Sequence, residues 1–93
     1  MNIQNIRERL KNRAINIGIL GLGYVGLPLA MTYVKKGFTV IGFDTDKEKI
    51  NKLKLGESYI IDIKNDVINH SIQKELFIPS NDSKILKNAD VIF

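Results

Sequence analysis

The sequence predicts an α/β protein: an open parallel sheet with flanking helices. Three observations carry this. Short apolar, β-branched runs alternate with stretches whose apolar residues recur at helical spacing, glycines stand where strands would give way to helices, and the strand runs are continuously apolar, as in strands buried on both faces. Strand, helix, strand, helix, strand, helix, strand is the order that right-handed crossovers join into one parallel sheet.

The elements follow in order. Ile3, Ile6 and Leu10 lie at helical spacing among Arg7, Glu8, Arg9 and Lys11, predicting a short amphipathic helix within residues 1–13, ahead of a domain over 14–93. "AINIGILG", Ala14 to Gly21, reads as a buried strand. "VGLPLAMTYVKKG" reads as a helix with Leu27, Ala30, Met31 and Val34 on one face and Gly37 as its stop. Pro28 fits its first turn, where a backbone N–H has no intrahelical partner to lose. "FTVIGFD" is the second strand, ending on Asp44. Thr45 and Glu48 then match a T-x-x-E capping box, opening a helix with Ile50 and Leu53 inward and a stop at Gly56.

"ESYIIDI" is open between a strand and an ordered loop. A helix is expected over Asp66 to Leu76, with Val67, Ile68, Ile72 and Leu76 as its apolar positions. "FIPSND" suggests a short strand or extended turn, Asp82 to Asn88 a short helix, and "ADVIF" the start of another buried strand. Ending at Phe93 with no polar tail, that strand is expected to be cut short, leaving the sheet truncated at its C-terminal side; a complete small domain with a short edge strand is the alternative.

Composition narrows the function. The chain has 93 residues, 44% hydrophobic and 26% charged, enough for one small globular unit and no second full domain. With no cysteine, disulfides, thiolate metal sites and cysteine nucleophiles are excluded within it. The first residues are charged where a signal peptide is apolar, and no run is long enough to cross a bilayer, so the expected compartment is the cytoplasm without a membrane partner. The net charge of +4 comes from lysines scattered over amphipathic segments, which reads as a solvated surface and not a nucleic-acid site.

Gly21, Gly23 and Gly26 match G-x-G-x-x-G between the first strand and the first helix. In that setting the first glycine permits the tight turn, the second lets backbone approach a pyrophosphate, and the third lets helix and strand pack closely. Backbone N–H groups from Leu22 to Gly26 then sit at a helix N-terminus, which favours an anion. Such a Rossmann-like site also needs an acid about twenty residues on, at the end of the second strand, to accept hydrogen bonds from the adenosine ribose hydroxyls. Asp44 stands there. A carboxylate attracts the diol and repels a 2′-phosphate, so NAD is expected over NADP. Asp46 competes for the role but sits where a helix cap belongs. His70 is expected on the surface, and Tyr59 can touch a ligand or simply pack.

"GLGYVGLPLA", "GFDTDKEKI" and "GESYIIDI" together resemble the start of the UDP-glucose/nucleotide-sugar dehydrogenase family, over nearly all of residues 14–93. Tyr24, Val25, Leu27 and Pro28 make the match more specific than the glycines do, and "GESYIIDI" is most similar to members acting on UDP-N-acetylhexosamines, UDP-N-acetylglucosamine 6-dehydrogenases above all. The resemblance implies NAD contacts from Gly21, Leu22, Gly23, Tyr24, Val25 and Gly26, ribose recognition by Asp44, and a basic contact to the adenosine end from Lys49, which alone reads equally as a solvated helix lysine. It also implies a UDP-sugar substrate and a homo-oligomer for the full-length protein. The family oxidises the sugar C6 alcohol to a carboxylate with two NAD in turn, through a thiohemiacetal on a cysteine. These residues hold no thiol, so the catalytic residues are expected outside them. A non-catalytic nucleotide-sensing module is the alternative.

Overall fold

The computed structural model describes residues 15–93, and the helix expected within residues 1–13 lies outside them. The described chain runs β1 (Asn16–Leu20), α1 (Gly26–Lys35), β2 (Thr39–Phe43), α2 (Lys47–Lys54), α3 (Asn65–Gln73), β3 (Phe77–Ser80), a 3₁₀ helix (Ser83–Asn88) and β4 (Val91–Ile92). The strands form one sheet in the order β3-β2-β1-β4. Every pairing is parallel, with Ile17 beside both Val40 and Val91, and Val40 beside Phe77. Pro79 falls in β3, at the sheet edge, where a missing N–H donor is tolerated.

Strand alternation builds the core. Ile15, Ile17, Ile19 and Val40 are buried with Leu27, Ala30, Met31 and Val34 of α1, Ile50 and Leu53 of α2, and Ile68 of α3. Burying each large aliphatic side chain contributes about 1.5–3 kcal/mol relative to leaving it in water. The alternate positions face the other way: a side chain at Gly18 would meet Ala89, Ile92 and Leu86, around the 3₁₀ helix and β4. The second face is thinly covered, and Leu20, Ile78 and Ile92 are exposed.

The expected helices and stops recur, with Gly37 and Gly56 both at positive φ. The cap of α2 is Asp46, not Thr45: its carboxylate accepts from the N–H groups of Glu48 (3.0 Å) and Lys49 (3.3 Å). Asp44 fixes that register by accepting the Asp46 N–H, which leaves Asp46 at the helix mouth. In α3 the inward positions are Ile68 and Ser71, while Val67 is exposed. The Ser71 hydroxyl satisfies itself on the Ile68 carbonyl at 2.7 Å, so a small polar residue fits where helical phase demands burial. "ADVIF" does pair as a strand, but Val91, Ile92 and Phe93 are exposed: the strand is the sheet edge, with Phe93 stacked on the Tyr33 ring of α1. "ESYIIDI" is an ordered loop, pinned by Ser58 accepting from the Ile60 N–H and by the Asn65 side chain accepting from the Ser58 N–H.

Candidate functional site

Each motif glycine answers a different demand. Gly21 lies at φ +95°, the left-handed region that favours glycine, and its N–H donates to the Phe43 carbonyl at 2.8 Å, turning the chain off the end of β1. A Cβ on Gly26 would stand 1.7 Å from the Gly21 carbonyl oxygen, so helix and turn meet there with no room for a methyl group. A Cβ on Gly23 would meet nothing within 4 Å. Packing does not require that glycine, and its open side leaves bare backbone available to a ligand.

The mouth of α1 is unsatisfied. Val25 caps the helix without a side-chain hydrogen bond, and no acid stands in its first turn. Among the described residues the N–H groups of Gly23, Tyr24, Val25 and Gly26 meet no acceptor. Four open donors at the positive end of a helix suit an anion. The Leu22 N–H is not one of them, because it donates to Asp44 Oδ2 at 2.9 Å. Its side chain is fully buried, so the expected contact from Leu22 reduces to holding the turn. Tyr24 and Val25, 83% and 81% exposed, flank the open donors.

Asp44 sits beyond the end of β2 with each carboxylate oxygen accepting one backbone N–H, from Leu22 on Oδ2 and from Asp46 on Oδ1, both at 2.9 Å. One lone pair on each oxygen remains for a diol. Burial is the largest single influence on this carboxyl and pushes its pKa up. The N–H groups of Asp46 and Leu22, the Lys49 charge and the Thr45 N–H together outweigh it, so the group titrates below its ordinary value and is ionised at neutral pH.

Lys49 joins the cluster: its ammonium lies 5.6 Å from the centre of the Tyr59 ring. The Tyr59 hydroxyl donates to the Leu22 carbonyl. Burial first, then the charges of Asp44 and Asp46, push the phenol up to about 12, so it remains a donor throughout the physiological range. Tyr59 is thus a wall of the site, which its sequence position left undecided.

A groove of about 1090 Å³ also runs along α1, bordered by Pro28, Met31, Lys35, Ile60, Asp62 and His70. It reaches the glycine turn only at Tyr24 and includes none of the motif glycines, Asp44 or Lys49. His70 belongs to this groove and is exposed. Among the described residues no group of acids and histidines is arranged to hold a metal ion, and no helix is long and apolar enough to cross a membrane.

The residues fit a dinucleotide. A bare Gly23, open donors at a helix mouth and an ionised, oriented carboxylate at the neighbouring strand end match a pyrophosphate and a ribose diol at the switch from β1 to β4 in the strand order.

The comparisons with known proteins agree. UDP-N-acetyl-D-mannosamine dehydrogenase of Pyrococcus horikoshii is 42% identical over 48 residues, covering 52% of this chain and 12% of that protein. UDP-N-acetyl-D-glucosamine 6-dehydrogenase of Salmonella typhi is 52% identical over 42 residues, covering 45% of this chain and 10% of its own length. The crystal structure of a ternary complex of GDP-mannose dehydrogenase from Pseudomonas aeruginosa superposes with a TM-score of 0.76 at 32% identity, over 83% of this chain and 18% of that one. The chain therefore spans less than a fifth of each of these three proteins. The model of the UDP-glucose/GDP-mannose dehydrogenase family, NAD binding domain, matches residues 15–93. The chain belongs to that family and carries its NAD-binding domain.

Proposed function

We propose that these residues are the cofactor-binding part of an NAD-dependent nucleotide-sugar 6-dehydrogenase acting on a UDP-N-acetylhexosamine. The observation that carries the cofactor half is the pairing of the open Gly23 cradle with the doubly hydrogen-bonded Asp44. In this reading the N–H groups of Gly23 to Gly26 hold the pyrophosphate and Asp44 accepts from the adenosine ribose hydroxyls. Lys49, on the Tyr59 ring, adds positive charge at that end. Bound NAD supplies the hydride acceptor for alcohol oxidation. The ionised Asp44 disfavours a 2′-phosphate, which supports NAD over NADP.

The substrate half has a narrower support. Two relatives are named for UDP-N-acetylhexosamines, one manno and one gluco, whereas the superposed structure is named for GDP-mannose. A shared cofactor domain with different named sugars supports sugar choice by residues other than the glycine turn. The thiol that the family's covalent step requires is absent from these residues, so turnover belongs to the parent protein. The test is to read the gene past Phe93, express its full product and follow NADH formation with UDP-N-acetylglucosamine, UDP-N-acetylmannosamine and UDP-glucose. The expected result is two NADH per N-acetylhexosamine oxidised. No NADH with any UDP-sugar would contradict the enzyme reading, and a preference for UDP-glucose would contradict the substrate.

A further inference from the structure

Tyr59 stands 37 positions from Leu22 in the chain, on a loop outside the strand-turn-helix unit, yet its hydroxyl donates to the Leu22 carbonyl. That carbonyl belongs to the peptide whose other end is the Gly23 N–H. In a planar trans peptide C=O and N–H point in opposite directions. A carbonyl held toward Tyr59 therefore aims the Gly23 N–H away from it, and Gly23 has open space where a side chain would stand. Glycine on one side of the peptide leaves it freer to rotate than any other residue would, so the turn alone fixes this plane poorly. The preceding peptide is already held, through the Leu22 N–H on Asp44.

We infer that Tyr59 is a positioning residue for the dinucleotide site: its hydroxyl locks the Leu22–Gly23 peptide so that the Gly23 N–H faces the pyrophosphate, while its ring carries the Lys49 ammonium beside Asp44. This rests on the dinucleotide reading above. The two functions are separable, because Tyr59→Phe removes the hydroxyl and keeps the ring that Lys49 lies over.

The experiment compares ADP-ribose, which has the pyrophosphate, with adenosine, which has only the ribose and base, by calorimetry on the wild-type chain and Tyr59→Phe. NMR of isotope-labelled glycine amides runs in parallel. Loss of one net hydrogen bond's worth of ordering predicts ADP-ribose binding weaker by about fivefold in Tyr59→Phe, with adenosine binding unchanged and the free-state Gly23 amide resonance displaced. Equal ADP-ribose affinity in the two chains, or equal weakening for both ligands as a general packing defect would give, overturns the inference. Should Tyr59→Phe not fold, the wild-type spectra decide. The Gly23 amide must move when ADP-ribose saturates the chain, and an unmoved resonance overturns the inference. A folded wild-type chain that binds neither ligand defeats the dinucleotide reading itself, and this inference with it.

Discussion

The back and the front of one short turn obey opposite rules. At the back, Gly26 lies against the Gly21 carbonyl, Leu22 is fully buried, and a Cβ on Gly42 would come within 3 Å of the Leu22 methyl groups. At the front, Gly23 faces open space, Tyr24 and Val25 are exposed, and backbone donors go unused. The same residue type serves packing at one end and access at the other. A glycine motif therefore states a fold and a ligand separately, and the two statements can be broken one at a time.

The largest effect is expected at the back. Gly26→Ala drives a methyl group into backbone that cannot give way as a flexible side chain would, so it should cost about 3 kcal/mol or more and lower the unfolding midpoint in denaturant steeply. Gly23→Ala is the matched control at the front. Its stability should stay within about 0.5 kcal/mol of wild type, while a calorimetric titration shows ADP-ribose affinity falling about tenfold or more as the methyl group enters the phosphate's space.

Asp44 bridges the two regions, since it holds the turn from behind and offers lone pairs in front. An amide at that position retains one acceptor and turns an NH₂ toward a backbone N–H. Asp44→Asn should destabilise the chain by about 1 kcal/mol and weaken ADP-ribose binding about tenfold, while narrowing the preference for NAD over NADP. Equal stability and unchanged cofactor preference would remove Asp44 from the site.

The smallest effect is the pH response of Tyr59. Its folded pKa of about 12 lies above the ordinary 10.0, so the unfolded chain ionises first as pH rises. Its contribution is complete below pH 10.0 and is lost as pH climbs to about 12. Denaturation midpoints of wild type and Tyr59→Phe across that interval should converge as pH increases, and parallel curves would speak against the contact.

Much of this was readable from one dimension because the information is local. Leu27, Ala30, Met31 and Val34 share a face by helical spacing alone, and all four are buried in α1. Gly21, Gly23, Gly26 and Asp44 follow from the strand-turn-helix-strand order. What escaped depends on three-dimensional neighbours. The contact between Tyr59 and Leu22 joins residues far apart in sequence. The cap was half legible: Asp46 stands where a helix cap belongs, while the T-x-x-E pattern pointed to Thr45, and the side chain of Asp46 is the one that accepts from the helix N–H groups. Ser71 is buried though no apolar pattern marks it, its hydroxyl bonded within its own helix, and Val67 is exposed although the apolar pattern includes it. The exposure of β4 follows from its place at the edge of the sheet, which no single strand's composition reports.

If the front of the turn holds a dinucleotide, the chain should fold without the ligand and bind it through Gly23. The most direct measurement is a calorimetric titration of the folded chain with ADP-ribose, beside Gly23→Ala under the same conditions. Saturable binding by the wild-type chain, lost in a Gly23→Ala chain of unchanged unfolding midpoint, is the predicted result. No binding by a folded wild-type chain, or equal binding by both chains, would contradict it.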